Sequence, residues 1–273
     1  GITVFSKQAV FPLAQRRVTL LDTPGHMDFS AEMERTLQIL DYAVLVISGP
    51  AGMQGQVKTI WKLLERYSVP VFIFVNKMDL PGPGREALLA ELRSQLSEGC
   101  MDFSAGEDDV FFENAAMCDE DVLNRYLETG CVTDDDIRTL IRRRQLFPCY
   151  FGSALKLEGV EELLQGIERY SEPAQYPEKF GAKVYKIARD PQGTRLTYMK
   201  ITGGKLKVKT ALTPEEKADQ IRVYSGSKYQ LTDEALAGMV CAVTGLSGTY
   251  PGQGLGEEED SAAPLLESFL TYQ

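Results

Sequence analysis

The sequence predicts an α/β fold, a parallel sheet with flanking helices, followed by a small β-barrel domain. Two patterns and the chain length predict it. Apolar runs of strand length alternate with helical periodicity through the first part of the chain, as when crossover helices join parallel strands. Beyond Tyr176-Pro177 short alternating segments separated by Gly, Pro, Asp and Ser take over, the patterning of a small barrel. With 273 residues, 44% of them hydrophobic, the chain can fill two cores.

In order, residues 4–13 and 17–21 read as strands joined by a turn at Ala14-Gln15-Arg16. Residues 31–40 carry helical periodicity, 42–47 a buried strand, 55–66 a helix and 69–75 a strand. Pro81-Gly82-Pro83-Gly84 is a loop, and 85–96 is helical again. Helices follow at 120–127, capped by Gly130, and at 135–145; residues 146–151 form the next strand and 159–170 a helix. Residues 182–187, 195–201, 206–212, 220–224 and 239–244 are the barrel strands. The expected domains are thus 1–178, with an acidic insertion at about 98–136, and the barrel at 181–258. Residues 256–260 read as a linker, and 263–273 as the start of a third domain.

Charge is unevenly spread. The net charge is −10, yet residues 98–136 alone hold thirteen acids against one base, so one segment carries the imbalance and reads as a solvated insertion. That leaves the other surfaces free to meet RNA; the barrel segment 181–256 is mildly basic, with eleven bases against six acids, and lysines on exposed strands usually serve edge protection and solubility. Mean hydropathy is −0.18 and no apolar run approaches membrane-spanning length. The five cysteines are odd in number and form no CxxC pair, which fits a reducing cytosol better than disulfides or zinc.

Chemistry is expected where Val18 to Leu21 empties into Asp22-Thr23-Pro24-Gly25-His26, because ligands of open α/β sheets bind beyond the carboxyl ends of strands. If the ligand is a magnesium-bound nucleoside triphosphate, Asp22 could hold the Mg²⁺ shell. Gly25 could bring its N–H close to a terminal phosphate, and Pro24 would stiffen the approach. His26, the one histidine, could orient an attacking water. By themselves, DTPG is also an ordinary turn, and a histidine near a helix start is more often solvated.

Two further strand ends change that balance. Asn76-Lys77-Met78-Asp79 follows the strand ending at Val75. The Asp79 carboxylate can accept two hydrogen bonds from N1–H and the exocyclic amine of guanine, a pattern adenine lacks. Asn76 can serve the N7 side, and the Lys77 stem can lie over the ring. Gly152-Ser153-Ala154, after the next strand, could bring a backbone N–H to the guanine O6.

The order GIT, DTPGH, NKMD, GSA resembles the GTPase domain of the translational factors, the group containing elongation factor G. Within that group the sequence is most similar to the tetracycline-resistance ribosomal protection proteins, through residues 146–167 and 182–209 and a modest insertion between Asp79 and Ser153. The resemblance implies GTP and Mg²⁺ as ligands. Thr3 and Asp22 would serve the metal, Thr23, Pro24 and Gly25 the phosphate, His26 the attacking water, and Asn76, Lys77, Asp79, Ser153, Ala154 and Leu155 the guanine. It implies a cytoplasmic monomer that binds the ribosome, its RNA and proteins, with no membrane or DNA partner, and that releases tetracycline. Elongation factor G itself, a release-type factor, or a non-catalytic ribosome-docking piece are the alternatives.

One departure stands out. No GxxxxGK[ST] occurs in the 273 residues, and Gly203-Gly204-Lys205 reads as a tight turn. The expectation is a GTPase domain truncated at switch I, with its first strand and P-loop missing. Such a chain would bind GTP weakly, hydrolyse it negligibly, and leave a gap or repaired pairing in the middle of its sheet.

Overall fold

The computed structural model describes residues 7–23, 30–213 and 215–265. By contacts they divide into two units, Leu40–Pro173 and the described parts of Gly1–Ile39 with Ala174–Gln273. Each is described by itself.

The second of these units begins with β1 (Lys7–Leu13) and β2 (Arg16–Asp22), an antiparallel ribbon running from Lys7↔Asp22 to Leu13↔Arg16. Its turn is Ala14-Gln15, with Ala14 in the left-handed region at φ 49°. Helix α1 (Ser30–Leu37) follows.

The unit 40–173 contains β3 (Ala43–Ser48), α2 (Gly55–Arg66), β4 (Val71–Asn76), α3 (Arg85–Gln95), β5 (Cys100–Asp102), α4 (Asp109–Ala116), α5 (Glu120–Thr129), α6 (Asp134–Arg142), β6 (Phe147–Phe151) and α7 (Val160–Tyr170). Its parallel sheet is four-stranded, in the order β3-β4-β6-β5. Val71 to Val75 and all of β6 are buried, because helices cover both faces. On one face Trp61 of α2 meets Phe147 edge-on at 4.7 Å. On the other, Phe72, Phe74 and Tyr150 join Ile137, Leu140, Leu163 and Tyr170 of α6 and α7. Strand β3 differs: Ala43, Leu45 and Ile47 are buried while Val44 and Val46 are exposed, and β4 is its one hydrogen-bonded neighbour among the described residues. No continuous six-stranded sheet forms among the described residues, and β2 pairs with β1.

The acidic segment is a correction. It is not simply a solvated insertion: β5, α4 and α5 lie in it, and Met101, Phe111, Ala115, Ala116 and Val122 enter the core. Its acids sit where helix starts want them. Asp108 accepts from the Phe111 N–H at 2.8 Å, Asp119 from Asp121 and Val122, and Thr133 and Asp136 form a reciprocal capping box.

Beyond residue 173 the strands are β7 (Gly181–Arg189), β8 (Arg195–Gly203), β9 (Lys205–Lys207), β10 (Ile221–Ser225), β11 (Lys228–Thr232), β12 (Glu234–Leu236), β13 (Val240–Val243) and β14 (Gly254–Gly256). A six-stranded antiparallel sheet, β11-β10-β13-β8-β7-β14, and the ribbon β12-β9 line one core built on Val184, Met199, Ile201, Leu206, Ile221 and Val243. Gly204 makes the tight turn between β8 and β9 at φ 52°. The β1-β2 ribbon packs here through Val10 and through the Gly226 N–H, which donates to the Gln8 carbonyl at 2.7 Å. Helix α1 lies on β7, where Lys186 Nζ is 2.8 Å from a Glu32 carboxylate oxygen. The expected third-domain strand lies almost wholly outside the described residues. Among the described residues no helix is long and apolar enough to cross a membrane.

Candidate functional site

Neighbouring parallel strands deliver their carboxyl ends side by side. In this sheet β4 and β6 pair Ile73↔Cys149, Phe74↔Tyr150 and Val75↔Phe151, so the loops 76–79 and 152–155 emerge together. Backbone hydrogen bonds continue past the strands: the Gly152 N–H donates to the Val75 carbonyl and the Met78 N–H to the Gly152 carbonyl, each at 3.0 Å. Residue 152 must be glycine, since a Cβ there would lie 2.0 Å from the Glu158 carbonyl oxygen. That close approach lets Ser153 and Glu158 exchange two N–H to carbonyl bonds of 3.0 Å, closing the loop on itself.

Asn76 ties the two loops. Its Oδ1 accepts from the Lys77 N–H at 2.7 Å and from the Ala154 N–H at 2.9 Å. The first bond holds Lys77 at φ 65°, a left-handed conformation that costs a non-glycine residue about 1 kcal/mol. With its backbone so turned, Lys77 stands exposed, its stem open to a planar ligand.

Asp79 faces the same place. The buried Ser153 hydroxyl donates to its carboxylate, and Lys156 Nζ lies 3.6 Å from Oδ2. The Ser153 bond first, then a backbone N–H and the Lys156 charge, hold the Asp79 carboxyl below the ordinary carboxylate range despite some desolvation. Asp79, an ionised acceptor, and the exposed Lys77 therefore stand on one of the two loops that Asn76 ties together. That set suits a planar base presenting adjacent N–H donors. Leu80, Leu155 and Leu157 are exposed apolar side chains on these loops. Lys156 was not among the candidates; the signal that could have found it is a lone cation beside Gly152-Ser153-Ala154.

Asn76, Lys77, Asp79, Ser153, Ala154 and Leu155 are thus brought together in the unit 40–173. Asp22 and Thr23 belong to the other unit, at the open end of the β1-β2 ribbon, where Asp22 is exposed. Thr3, Pro24, Gly25 and His26 lie outside the described residues. Among the described residues no group of three or more His, Cys, Asp or Glu gathers as a metal cage. A single exposed carboxylate such as Asp22 is the kind of oxygen donor that suits Mg²⁺, an ion that keeps most of its water.

The family described as elongation factor Tu GTP binding domain matches residues 1–173. Elongation factor G of Ureaplasma parvum serovar 3 is 28% identical over 333 aligned positions, which take in 95% of this chain and 48% of that protein. Elongation factor G of Ureaplasma urealyticum serovar 10 gives the same figures. Among solved structures, a crystal structure of a Thermus thermophilus protein superposes with a TM-score of 0.83 at 25% identity, covering 97% of this chain and 48% of that one. The chain spans about half the length of the curated relatives it matches.

Proposed function

The chain belongs to the elongation factor Tu GTP-binding domain family, and from that premise we propose that the whole protein is a ribosome-dependent GTPase of the elongation factor G type. One observation carries the reading: Asn76 joins the loop after β4 to the loop after β6, and Asp79 is held ionised beside it. Asp79 would accept the N1–H and amine of guanine, Asn76 and Lys77 would orient the ring, and a backbone N–H of the loop 153–155 would meet O6.

At the phosphate end, Thr3 and Asp22 would hold Mg²⁺, which when bound neutralises charge on the transferred phosphoryl group. Thr23, Pro24 and Gly25 would border the terminal phosphate. His26 would orient the water that attacks it, once ribosomal contacts complete the site. The 273 residues contain no GxxxxGK[ST]. Taken alone they are therefore expected to bind GTP weakly, the main phosphate donors being absent from them. Among the described residues β3 has β4 as its one hydrogen-bonded neighbour and keeps Val44 and Val46 exposed, which is in keeping with that expectation.

Within the group, we favour a ribosomal protection protein that releases tetracycline. What supports this is the resemblance carried by residues 146–167 and 182–209. Elongation factor G itself remains the second reading, on the same similarity. Domains at 1–178 and 181–258 go with this proposal.

The test of base recognition is Asp79→Asn in the whole protein. Exchanging a carboxylate for an amide replaces two acceptors by one acceptor and one donor, so GDP affinity should fall at least tenfold while xanthosine diphosphate, with a carbonyl at C2, gains. Unchanged GDP binding would dismiss Asp79 as the base reader. Growth of a sensitive host on tetracycline, with and without His26→Ala, decides the finer question; no protection by the unaltered gene would leave elongation factor G as the reading.

A further inference from the structure

The loop that presents Ser153 and Ala154 also presents a cation. Lys156 Nζ stands 3.6 Å from Asp79 Oδ2, with the lysine side chain 52% exposed and the aspartate 13%. The separation is longer than the 2.7–2.9 Å or so of a charge-assisted hydrogen bond, and the ammonium faces solvent. The pair is therefore a weak one, of the kind that contributes little and separates readily. The Ser153 hydroxyl holds the same carboxylate from its buried side. Lys156 thus stands beside the carboxylate that a guanine base would have to reach.

We propose that Lys156 is a displaceable counter-ion: it neutralises Asp79 while the site is empty, and a guanine base binds by pushing it aside. The inference rests on the guanine reading above and deepens it by naming the group that competes with the ligand. A guanine offers its N1–H and amine side by side and takes both carboxylate oxygens in the plane of the ring, so an ammonium on Oδ2 has to leave. The backbone allows this. Among the described residues Lys156 is held, apart from the Asp79 contact, through its own N–H, which donates to the Ser153 carbonyl at 3.1 Å and sits 3.4 Å from the Ser153 hydroxyl oxygen. Leu157 after it stands in the left-handed region at φ 61°, which turns the chain so that the exposed residues 155–157 project into solvent. The side chain can swing outward without unmaking any bond that holds the loop.

A competitor raises the apparent dissociation constant by the fraction of time it holds the site. Removing it should therefore tighten binding. Lys156→Met keeps the length and apolar stem of the side chain and deletes the charge. In the whole protein, titrated with GDP at low salt, the methionine variant should bind about two- to fivefold more tightly than the unaltered protein, the range expected for losing one solvent-exposed ion pair. The difference should close at about 1 M salt, where the pair is screened, and Lys156→Arg should behave like lysine. A variant that binds GDP no better than the unaltered protein, or a gain that persists at high salt, overturns the proposal. A second readout separates its failure from that of the guanine reading. In carbon-13 spectra of this chain without nucleotide, the acid titration of the Asp79 carboxyl should move upward in Lys156→Met. If it moves while GDP fails to bind any form, the counter-ion stands and guanine is refuted as its competitor; if it does not move, the ion pair is absent in solution and the proposal fails.

Discussion

Replacing Asn76 by alanine should free one loop from the other without unfolding the sheet. Asn76 Oδ1 accepts at 2.7 Å from Lys77 and at 2.9 Å from Ala154, and each such bond is worth about 0.5–1.5 kcal/mol net. Losing both, and with them the support for Lys77 at φ 65°, should cost about 1–3 kcal/mol. The two costs are read in different places. Exchange of the Ala154 amide reports one bond alone, and at 1.4 kcal/mol per factor of ten it should quicken by about two- to tenfold. Global stability reports the sum. Trp61 is the single tryptophan, buried against Phe147 with Arg144 over its ring, so its fluorescence follows urea unfolding of the unit 40–173. Asn76→Asp retains an acceptor oxygen in the same place and should keep Ala154 protected. Equal exchange rates at Ala154 in the alanine variant and the unaltered protein would refute the tie between the loops, as would an aspartate variant indistinguishable from alanine.

Two other outcomes follow from the same unit. Phe111 is 5% exposed and stacks edge-on against Phe103 at 4.9 Å, so Phe111→Ala should lower stability by about 3–5 kcal/mol; a loss under 1 kcal/mol or so would return the acidic segment to the status of a solvated insertion. Asp119 is held below the ordinary carboxylate range chiefly by the Gln145 side chain, then by the N–H groups of Val122 and Asp121 and the charge of Arg143, against a desolvation that pushes the other way. Its folded pKa being depressed, its contribution is complete above the unfolded value and disappears as pH falls through the folded one. The stability gap between the unaltered protein and Asp119→Asn should accordingly shrink below about pH 4, and a gap that widens in acid would reverse the sign of the argument.

What the sequence made legible depends on where the physical signal was local. Helix α2 was read at its observed bounds, Gly55–Arg66, because its apolar positions recur at helical spacing. Strand β4 was legible because valine, isoleucine and phenylalanine follow one another without a break. Helix α4 was missed, since its apolar residues from Val110 to Ala116 lie among acids and net charge masked the pattern. Strand β11 was missed because it is exposed almost throughout, with Tyr229 and Leu231 turned to solvent, and shows no buried alternation. Of the site, Asn76, Asp79 and Ser153 were legible as residue types at strand ends. The tie from Asn76 to Ala154 and the approach of Lys156 were not, because both span nearly eighty positions and arise only when two strands are brought into register.

That register is where the core and the site become one problem. A slip of one residue between β4 and β6 would turn every side chain of β6 to the opposite face, and the packing forbids it. Tyr150 lies under α7 so closely that a Cβ on Gly166 would fall 1.7 Å from its hydroxyl oxygen, while Phe147 faces the other way onto Trp61 at 4.7 Å. Neither ring fits on the other's side. With Phe147 and Tyr150 assigned to their faces, Phe151 is fixed opposite Val75, the Gly152 N–H falls on the Val75 carbonyl, and the Met78 N–H falls on the Gly152 carbonyl. Asn76 then reaches Ala154, and Asp79 reaches Ser153. The hydrogen-bonding positions of the loops are thus set by two aromatic side chains packed on opposite faces of the sheet. A substitution that loosens either ring is expected to blur base recognition before it unfolds the domain, since the loops depend on register to a fraction of an ångström and the sheet as a whole does not.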